Sequence, residues 1–523
     1  MHWSLTKAQE LIDAHPDRDI FVCASGISPS GHIHIGNFRE LITTYFVVKA
    51  LQKLGKKARF IFSWDDFDRF RKVPKNVDPS YEQYLGLPYA DIPDPYGCCE
   101  SYAKHFQNEF ETAIEAFDIE VDFIYQHEAY RSGRYNDWIA HALGQRGRIY
   151  DLLMEYKTQE ASEEERVAYY PVAVYCHGCG KDHTTISAYD ADAQTLAYTC
   201  TCGFGESQGV LEADNIKLNW KVDWPMRWQY EDVVFEPGGR DHSSQGGSYE
   251  VSSRIAREIF GFEPPSYIAY EFIGIKGARG KMSSSTGNLI TPADLLQVYT
   301  PEVVLYIFSK YDPGAAFNFG FDEEVIRNFT EFERFRKRFI SGQIPEEDNM
   351  HMSLELADLG HDIDNHVTFG KVAGLLPLMG FQEDAVAGVL SQETGTSLPG
   401  LSVLAPRVQH WIENWYPDRA TSIRDIANLD LLEGASDEER AWIGQLLAVM
   451  ETDEEVGLTI EDYMERIYAI TRVEDPKETK GRQRRFFALV YQLLIDRVQG
   501  PRLPLLLRIV GVDRARGLFS SRS

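Results

Sequence analysis

A glycine-rich segment near the start of the chain, SGISPSGHIHIGN (residues 25–37), places two imidazoles where a ligand could approach the backbone. Its three glycines lack the Cβ that would keep a ligand away from the main chain. The segment lies between an apolar strand-like run and a helical pattern, so it supplies a helix N-terminus with N–H groups and a positive dipole end. His32 and His34, which lie at this strand–loop–helix junction, are therefore predicted to be functional and not structural.

A second segment rich in small residues, KMSSSTGN (residues 281–288), carries Lys281 before a run of hydroxyl side chains. A lone cation on such a loop does not belong in a core, because burying an unpaired charge is costly. We expect the loop to close over an anionic ligand.

Seven cysteines, an odd number, favour metal binding over disulfides in a chain that we expect to be cytoplasmic. The motifs CHGC and CTC form two close pairs, which can place four thiolates around Zn²⁺. Four protein ligands leave no open position for catalysis, so the predicted site is structural. The predicted ligands are Cys176, Cys179, Cys200 and Cys202.

A looser cluster, DPYGCCESYAKH (residues 94–105), combines carboxylate, thiol and imidazole groups. These groups could hold a second metal ion, and two thiols without a metal are the alternative. The candidate ligands are Asp94, Cys98, Cys99 and His105.

The two small-residue loops need a fold that brings them together, and the pattern is that of a doubly wound α/β protein. Residues 20–63 have the pattern of a strand, a helix with apolar residues at helical spacing and a second strand. Strand-like runs return at DVVFEP and SYIAYEFIGIK, which predicts the second half of a parallel sheet. Ligands of such sheets bind beyond the carboxyl ends of the strands, where the glycine-rich loop begins.

The order of these patterns predicts a division of the chain. From residue 321 onward the pattern is helical, which predicts an all-α C-terminal region after the Rossmann-like catalytic domain. The predicted segments are 1–95 and 216–300 as the two halves of the catalytic domain, 96–215 as a zinc-containing insertion, 301–345 as a helical connecting domain and 346–523 as a helical domain.

The motifs of both loops resemble those of class I aminoacyl-tRNA synthetases. PSGHIHIGN resembles their HIGH motif, with Asn37 in place of the last histidine, and KMSSS resembles their KMSKS motif, with Ser284 in place of the second lysine. Within that family, the blocks WDDFDRFRKVPKN, PDPYGC, DWPMRW and GGRDHSSQGGS are similar to those of the class I lysyl-tRNA synthetases. The family's second zinc pattern has a histidine where this chain has Cys99.

The resemblance implies a lysine–tRNA ligase, which joins lysine to ATP as lysyl-adenylate and then transfers the lysyl group to the 2′-hydroxyl of tRNA-Lys. It implies ATP and Mg²⁺ as well as zinc. His32, His34 and Lys281 would be catalytic. The residues implied in ATP binding are Pro29, Gly31, His34, Gly36, Asn37, Asp241, Lys281, Met282, Ser283, Ser284 and Ser285.

By the same resemblance, the lysine pocket would be lined by Gly26, Ser28, Asp65, Trp220, His242 and Tyr270. The aromatic rings suit packing along the four-carbon stem of lysine, and core packing is the alternative. The ammonium group needs an acceptor, because a buried unpaired charge is costly. Four acids at predicted strand ends remain open as acceptors: Asp65, Asp66, Asp68 and Glu271.

The charge distribution bears on tRNA binding. The net charge is −27, but the segment from residue 480 to residue 523 holds ten basic and two acidic residues. Such a basic segment can bind a polyanion, and a solvated arginine-rich helix explains it equally well. The helical region would read the anticodon by resemblance. The candidate tRNA-binding residues are Arg334 and Arg336 of FTEFERFRKRF, with Arg482, Arg484 and Arg485.

Two other functions fit parts of the sequence. One is a tRNA-independent nucleotidyltransferase of the same superfamily, which would lack the long helical tail after Lys281. The other is a non-catalytic tRNA-binding relative, which would have lost the motif residues that stand here. We also expect a monomer. No apolar run approaches the length of a membrane span, so we expect no membrane partner.

Overall fold

The structure is a computed structural model, and it describes residues 1–157, 162–277, 289–361, 367–394 and 398–520. The strands in these residues are β1 (Ile20–Ile27), β2 (Lys57–Trp64), β3 (Asp122–Tyr125), β4 (Val172–Val174), β5 (Thr184–Asp190), β6 (Thr195–Cys200), β7 (Gly205–Gly209), β8 (Ile216–Leu218), β9 (Val233–Gly239), β10 (Ser266–Tyr270), β11 (Ile273–Ile275) and β12 (Phe317–Phe319).

The helices of the described residues continue to the end of the chain. The first group is α1 (Trp3–Ala14), α2 (Ile35–Lys53), α3 (Tyr102–Glu115), α4 (Gln126–Arg131), α5 (Asn136–Gly144), α6 (Arg146–Met154), α7 (Glu163–Ala168), α8 (Trp220–Glu231), α9 (Ser248–Ile255), α10 (Pro292–Leu296) and α11 (Pro301–Ser309). The second group is α12 (Glu324–Ile340), α13 (Asn349–Leu356), α14 (Phe369–Leu375), α15 (Glu383–Thr394), α16 (Pro399–Asn414), α17 (Leu429–Gly434), α18 (Asp437–Val456), α19 (Ile460–Ala469), α20 (Pro476–Ile495), α21 (Leu503–Val510) and α22 (Val512–Leu518).

A parallel sheet of five strands, in the order β10–β9–β1–β2–β3, carries the candidate site. The chain moves outward from β1 to β2 and β3 on one side, and from β9 to β10 on the other. The position between β1 and β9 is therefore the topological switch point, where doubly wound sheets bind ligands. The predicted fold class is confirmed by this sheet and by the helical region that follows it.

The apolar residues of β1 and α2 explain why the glycine-rich loop is held firmly at both ends. The interior residues of β1 are buried between β2 and β9. α2 is buried on most of its circumference, as expected for a helix that is apolar nearly all round. Gly55 follows α2 with φ of +78°, a conformation that glycine adopts without strain and that ends the helix.

The range predicted as an insertion, 96–215, contributes to three sheets, one of which is the short antiparallel pair of its β4 with β8. Its strand β3 pairs in parallel with β2 and so completes the edge of the main sheet. The later part forms a separate antiparallel sheet of β5, β6 and β7. The five-segment division of the chain stays a prediction, and β3 belongs with the main sheet because its backbone is hydrogen-bonded there.

The chain forms two compact units. The first consists of Met1–Leu296, Thr300–Gly320 and Gly342–Leu359, and the second of Gln297–Tyr299, Phe321–Ser341 and Gly360–Ser523. Within its described residues the second unit contains helices and no strand. One apolar cluster of this unit joins α18, α19, α20, α21 and α22. In the described part of the chain, no helix is both long and apolar enough to cross a bilayer.

Candidate active site

The glycine-rich loop leaves β1 and ends at His34, which caps α2. The Nδ1 atom of His34 accepts a hydrogen bond from the backbone N–H of Gly36 at 3.1 Å. Because Nδ1 is the acceptor, the proton of the neutral ring lies on Nε2, which makes Nε2 a donor. A Cβ on Gly36 would lie 2.8 Å from the ring of His34, so only glycine fits beside this cap.

His32 is held by an acid from a neighbouring helix. Its Nδ1 lies 2.7 Å from Oε2 of Glu109 on α3. The hydrogen bond that His32 donates to Glu109 raises the pKa of His32, and its effect outweighs that of partial burial, which lowers this pKa. The imidazole therefore carries positive charge to a higher pH than an ordinary histidine does.

A cleft of about 350 Å³ at the switch point brings together predicted residues that are far apart in the sequence. It is lined by all six predicted lysine-binding residues: Gly26, Ser28, Asp65, Trp220, His242 and Tyr270. Four predicted ATP-binding residues line the same cleft: His34, Gly36, Asn37 and Asp241. Pro29, Gly31 and His32 lie in the same loop but not in this lining. Five predicted residues fall outside the described ranges: Lys281, Met282, Ser283, Ser284 and Ser285.

The opposite wall of the cleft follows β9. The strand ends at Gly239, and a single 3₁₀ turn then carries Asp241 and His242. The ring of His242 lies 5.9 Å from the ring of Trp224, which is stacked on Trp220 at 5.0 Å. Both tryptophans belong to α8, so this helix presents a flat aromatic wall to the cleft.

The four acids considered as ammonium acceptors already have partners. Asp65 accepts a hydrogen bond from Nη1 of the buried Arg227 at 2.8 Å, and Asp68 lies 3.0 Å from Nζ of the buried Lys217. Asp66 lies 2.6 Å from Nδ1 of His127 and also accepts from Gln107, and Glu271 is paired with Arg240. The negative charge of these acids is therefore largely matched within the chain.

Glu40 is a functional candidate that the sequence reasoning missed. Its Oε1 accepts from the backbone N–H of Gly26 at 3.0 Å, and its Oε2 accepts from the hydroxyl of Tyr270 at 2.7 Å. Burial raises the pKa of Glu40 to about 8, against the opposing effect of both hydrogen bonds. A signal was available, because Arg39 and Glu40 are the only charged residues among the first fourteen of α2.

A second buried carboxylate, Glu236 on β9, lies beneath the same wall. Its Oε2 accepts from Nε1 of Trp228 at 2.6 Å, and burial raises its pKa to about 7. Glu40 and Glu236 line one small cavity that continues from the cleft. Among the described residues, neither carboxylate forms an ion pair with a basic side chain. The deep end of the cleft is thus rich in acceptors, and Arg227, which also lines that cavity, forms its ion pairs with Asp65 and Asp223.

Comparison with known proteins places this chain in a family. The model of the class I tRNA synthetases (K) matches residues 1–359. The chain belongs to this family. It is 34% identical to the lysine–tRNA ligase of Treponema pallidum, over 99% of this chain and 98% of that protein. It is also 35% identical to the lysine–tRNA ligase of Streptomyces coelicolor, over 96% of this chain and 95% of that protein.

The similarity extends to an archaeal relative, while a solved structure aligns only weakly. The chain is 34% identical to the lysine–tRNA ligase of Thermococcus kodakarensis, with 96% of each chain covered. A crystal structure of a glutamate tRNA ligase from Elizabethkingia meningosepticum aligns with 96% of this chain at 12% identity. Its TM-score of 0.40 is below the similarity that would show a shared fold.

In this synthetase, the four predicted zinc ligands of the CHGC and CTC motifs come together. Their ligand atoms all lie within 4.8 Å of one another, and Sγ of Cys176 and Sγ of Cys202 are 3.7 Å apart. Cys179 and Cys200 show the same Sγ separation. A tetrahedral Zn²⁺ with bonds of about 2.3 Å requires sulfur atoms about 3.8 Å apart, so the cluster fits zinc.

The four groups of the second cluster also lie together, within 4.8 Å of one another. Nδ1 of His105 is 3.2 Å from Sγ of Cys98 and 3.3 Å from Oδ1 of Asp94. Oδ2 of Asp94 accepts the backbone N–H groups of Cys98 and Cys99, which orients the carboxylate. This mixed set of sulfur, nitrogen and oxygen ligands also suits zinc, with thiolate in place of the family's histidine.

The candidate tRNA-binding arginines lie on two helices of the second unit, and several are engaged within it. Arg482 and Arg485 both bind Glu438, and both guanidinium groups lie 5.3 Å from the ring centre of Trp442. On α12, Arg334 stacks on Phe335 at 4.7 Å. Arg336 lies on the same helix, and Arg484 is exposed on α20. The excess of basic residues in the C-terminal sequence is thus partly neutralised by acids from earlier helices.

Proposed function

We propose that this synthetase is a lysine–tRNA ligase. Lysine carboxylate attacks the α-phosphorus of ATP, the bond to the β-phosphate bridging oxygen breaks, and lysyl-adenylate and pyrophosphate result. The 2′-hydroxyl of the terminal adenosine of tRNA-Lys then takes the lysyl group and releases AMP. The carrying observation is a cleft with donors at one end and, at the other, the carboxylate of Glu40, which forms no ion pair with a basic side chain in the described part of the chain.

The deep end of the cleft supports recognition of the lysine side chain by Glu40. An ammonium group at this position would complete an ion pair with a carboxylate that is already fixed by Gly26 and Tyr270. The wall formed by Trp220 suits the four methylene groups of the stem. His242 and Asp65 line the same region, as expected for the lysine site.

The shallow end supports ATP binding through alignment and charge stabilisation, which are the main requirements of phosphoryl and nucleotidyl transfer. The N-terminus of α2 and the donor at Nε2 of His34 face an anionic ligand, while Asp241 is suited to a ribose hydroxyl. Lys281 would add a cation from its loop during the reaction. Magnesium bound to the triphosphate supplies further neutralisation of charge.

The two ligand clusters are proposed to hold structural zinc. Cys176, Cys179, Cys200 and Cys202 would stabilise the small sheet of β5, β6 and β7. Asp94, Cys98, Cys99 and His105 would fix the start of α3. If purified protein contained no zinc and Cys176→Ser folded with unchanged stability, the four-cysteine proposal would be wrong.

The helical second unit is proposed to bind tRNA-Lys and to read its anticodon. Arg334 and Arg336 on α12 and the exposed Arg484 on α20 are the proposed backbone contacts. Arg482 and Arg485 would contact phosphate only by leaving or sharing Glu438. The monomeric state and the cytoplasmic location stay predictions.

ATP–pyrophosphate exchange with each of the twenty amino acids, with and without total tRNA, tests this function. Lysine alone is expected to support exchange, and any tRNA requirement would show that tRNA helps to build the site. Exchange with another amino acid would contradict the assignment of the pocket. Absence of exchange under all conditions would favour the alternative of a non-catalytic tRNA-binding protein. The similarity to proteins named lysine–tRNA ligase argues against that alternative.

A further inference from the structure

Helix α3 joins the second ligand cluster to the glycine-rich loop of residues 25–37. This loop is called the nucleotide loop below, because the proposed function assigns ATP to it. Cys98 and Cys99 lie just before Ser101, whose hydroxyl caps the helix by accepting the N–H of Lys104. His105 lies in the second turn, so one cluster ligand is part of the helix itself. A cation held by this cluster would therefore fix both the start of α3 and its rotation about its own axis.

The next residues on α3 hold the nucleotide loop by three separate contacts. The hydroxyl of Tyr102 donates to the backbone carbonyl of Ser30 at 2.9 Å. The ring of Phe106 meets the ring of His32 edge to face at 5.0 Å. Glu109 then binds Nδ1 of His32 at 2.7 Å. Spacings of four and three residues place these side chains on one face of the helix.

The cluster also touches the same region through Tyr96. The ring of Tyr96 lies 4.5 Å from the ring of His105 and 6.5 Å from that of His32. The metal ligands and the first histidine of the loop therefore share one aromatic neighbour. A change in the position of His105 has two physical routes to His32, one along α3 and one through this ring.

We propose that α3 couples the Asp94–Cys98–Cys99–His105 cluster to the nucleotide loop, and that Glu109 is the positioning residue through which a bound zinc-class cation orients His32. The cluster would then support ATP binding without touching ATP. The four-cysteine cluster has no such role, because its ligands come from the β4–β5 connection and the end of β6. This inference rests on the proposed function only in assigning ATP to the loop.

The first test uses full-length protein purified with zinc and measures two quantities that need no amino acid. Zinc per chain is measured by mass spectrometry, and the Kd of ATP by equilibrium dialysis. In Cys98→Ser, zinc should fall from about two to about one per chain. The Kd of ATP should rise by about tenfold, the order of magnitude lost when a group that orients another ligand is no longer held in place. Loss of zinc with unchanged ATP affinity would overturn the coupling.

Cys99→His is the matched control, because imidazole is also a zinc ligand. It should keep about two zinc ions per chain and nearly the original Kd of ATP. If Cys98→Ser does not fold, Cys99→His still tests the coupling, because its zinc content and its Kd of ATP can be compared directly. A variant that kept its zinc but lost ATP affinity would overturn the proposed link between the two.

The second test addresses Glu109. Glu109→Gln should keep both zinc ions and raise the Kd of ATP about tenfold, as expected when a charged hydrogen-bond partner is lost. In a His32→Gln background the same substitution should add little, because Glu109 acts through His32. Equal effects in both backgrounds would overturn this role. Glu115→Gln, at the exposed end of the same helix, is the control.

Pyrophosphate exchange completes the test, because it separates this inference from the proposed function. Glu109→Gln and Cys98→Ser should raise the KM of ATP and leave the KM of lysine within about twofold. A parallel rise in both constants would indicate general damage to the cleft and would overturn the inference. If wild-type protein exchanged with no amino acid, the proposed function would fail, while zinc content and ATP binding would still decide the coupling.

Discussion

The two ends of the cleft differ in charge although one helix builds both of them. At the end proposed for the nucleotide, α2 presents its N-terminus and His34, and the adjacent His32 gains positive character from Glu109. At the end proposed for lysine, the same helix presents Glu40, which has no basic partner among the described residues. The charge that each end offers to a ligand therefore depends on which side chains are neutralised by partners elsewhere in the chain.

The acids of the cleft wall make this contrast sharper. Asp65 and Asp68 follow the end of β2 in the sequence and were therefore candidate acceptors for the ammonium group of lysine. Arg227 and Lys217 already match their charges. An acid that points into a cleft is consequently a poor guide to substrate charge until its partners are known.

The largest effect should come from His34→Asn, which tests the nucleotide end. Asparagine still caps a helix well, so α2 should persist, but the Nε2 donor is lost. We expect the rate of lysyl-adenylate formation to fall by about a hundredfold or more, as for other preorganised donors. Rapid-quench measurement of adenylate checks this. An unchanged rate together with an unchanged KM of lysine would remove His34 from the mechanism.

Glu40→Gln should have the next largest effect, at the opposite end. The variant keeps the hydrogen-bonding shape but cannot pair with an ammonium group. The KM of lysine should rise by about a hundredfold, typical of breaking a desolvated ion pair, while the Kd of ATP stays within about twofold. Steady-state exchange kinetics measure the first and equilibrium dialysis the second. A lysine KM close to that of the wild type would disprove the assignment of Glu40.

The pH dependence of lysine binding should be smaller and specific to Glu40. Burial raises the pKa of this carboxyl to about 8, so the free enzyme binds a proton there at neutral pH. Lysine requires the ionised form and must displace that proton. The KM of lysine should fall as pH rises towards 8, by at most about tenfold per pH unit, and then level off.

The matched control for this profile is Glu40→Gln, which should abolish the dependence between pH 6.5 and 8, as about one titrating group is removed. Glu236 also titrates in this range because burial raises its pKa to about 7. A slope that persisted unchanged in Glu40→Gln would therefore assign the titration to a different group.

Asp68→Asn should have the smallest effect. Lys217 already neutralises Asp68, and after the substitution it would keep its contact with Asp223 at 3.2 Å. The KM of lysine should change by less than about threefold, as for a site without direct contact. Exchange kinetics beside Glu40→Gln give the comparison. A larger increase than that of Glu40→Gln would reverse the proposed roles of the two acids.

Much of the fold and most of the cleft lining could be predicted from short stretches of sequence. The strand, loop and helix around His34 follow from local pattern, and the predicted lysine-site residues do line one cleft. The spacing of the cysteine pairs was likewise enough to predict four converging sulfur atoms. These features depend on residues that are near one another in the chain or on a regular sheet topology.

What the sequence could not supply was the assignment of charge partners. Glu40 is separated from Tyr270 by 230 positions, Asp65 from Arg227 by 162, and His32 from Glu109 by 77. Each pair forms because the folded sheet and its helices bring distant segments within hydrogen-bonding distance. The sequence by itself determined which chemical groups surround the cleft. Only the tertiary structure decided which of their charges remain for a substrate, because neutralisation depends on spatial proximity and burial.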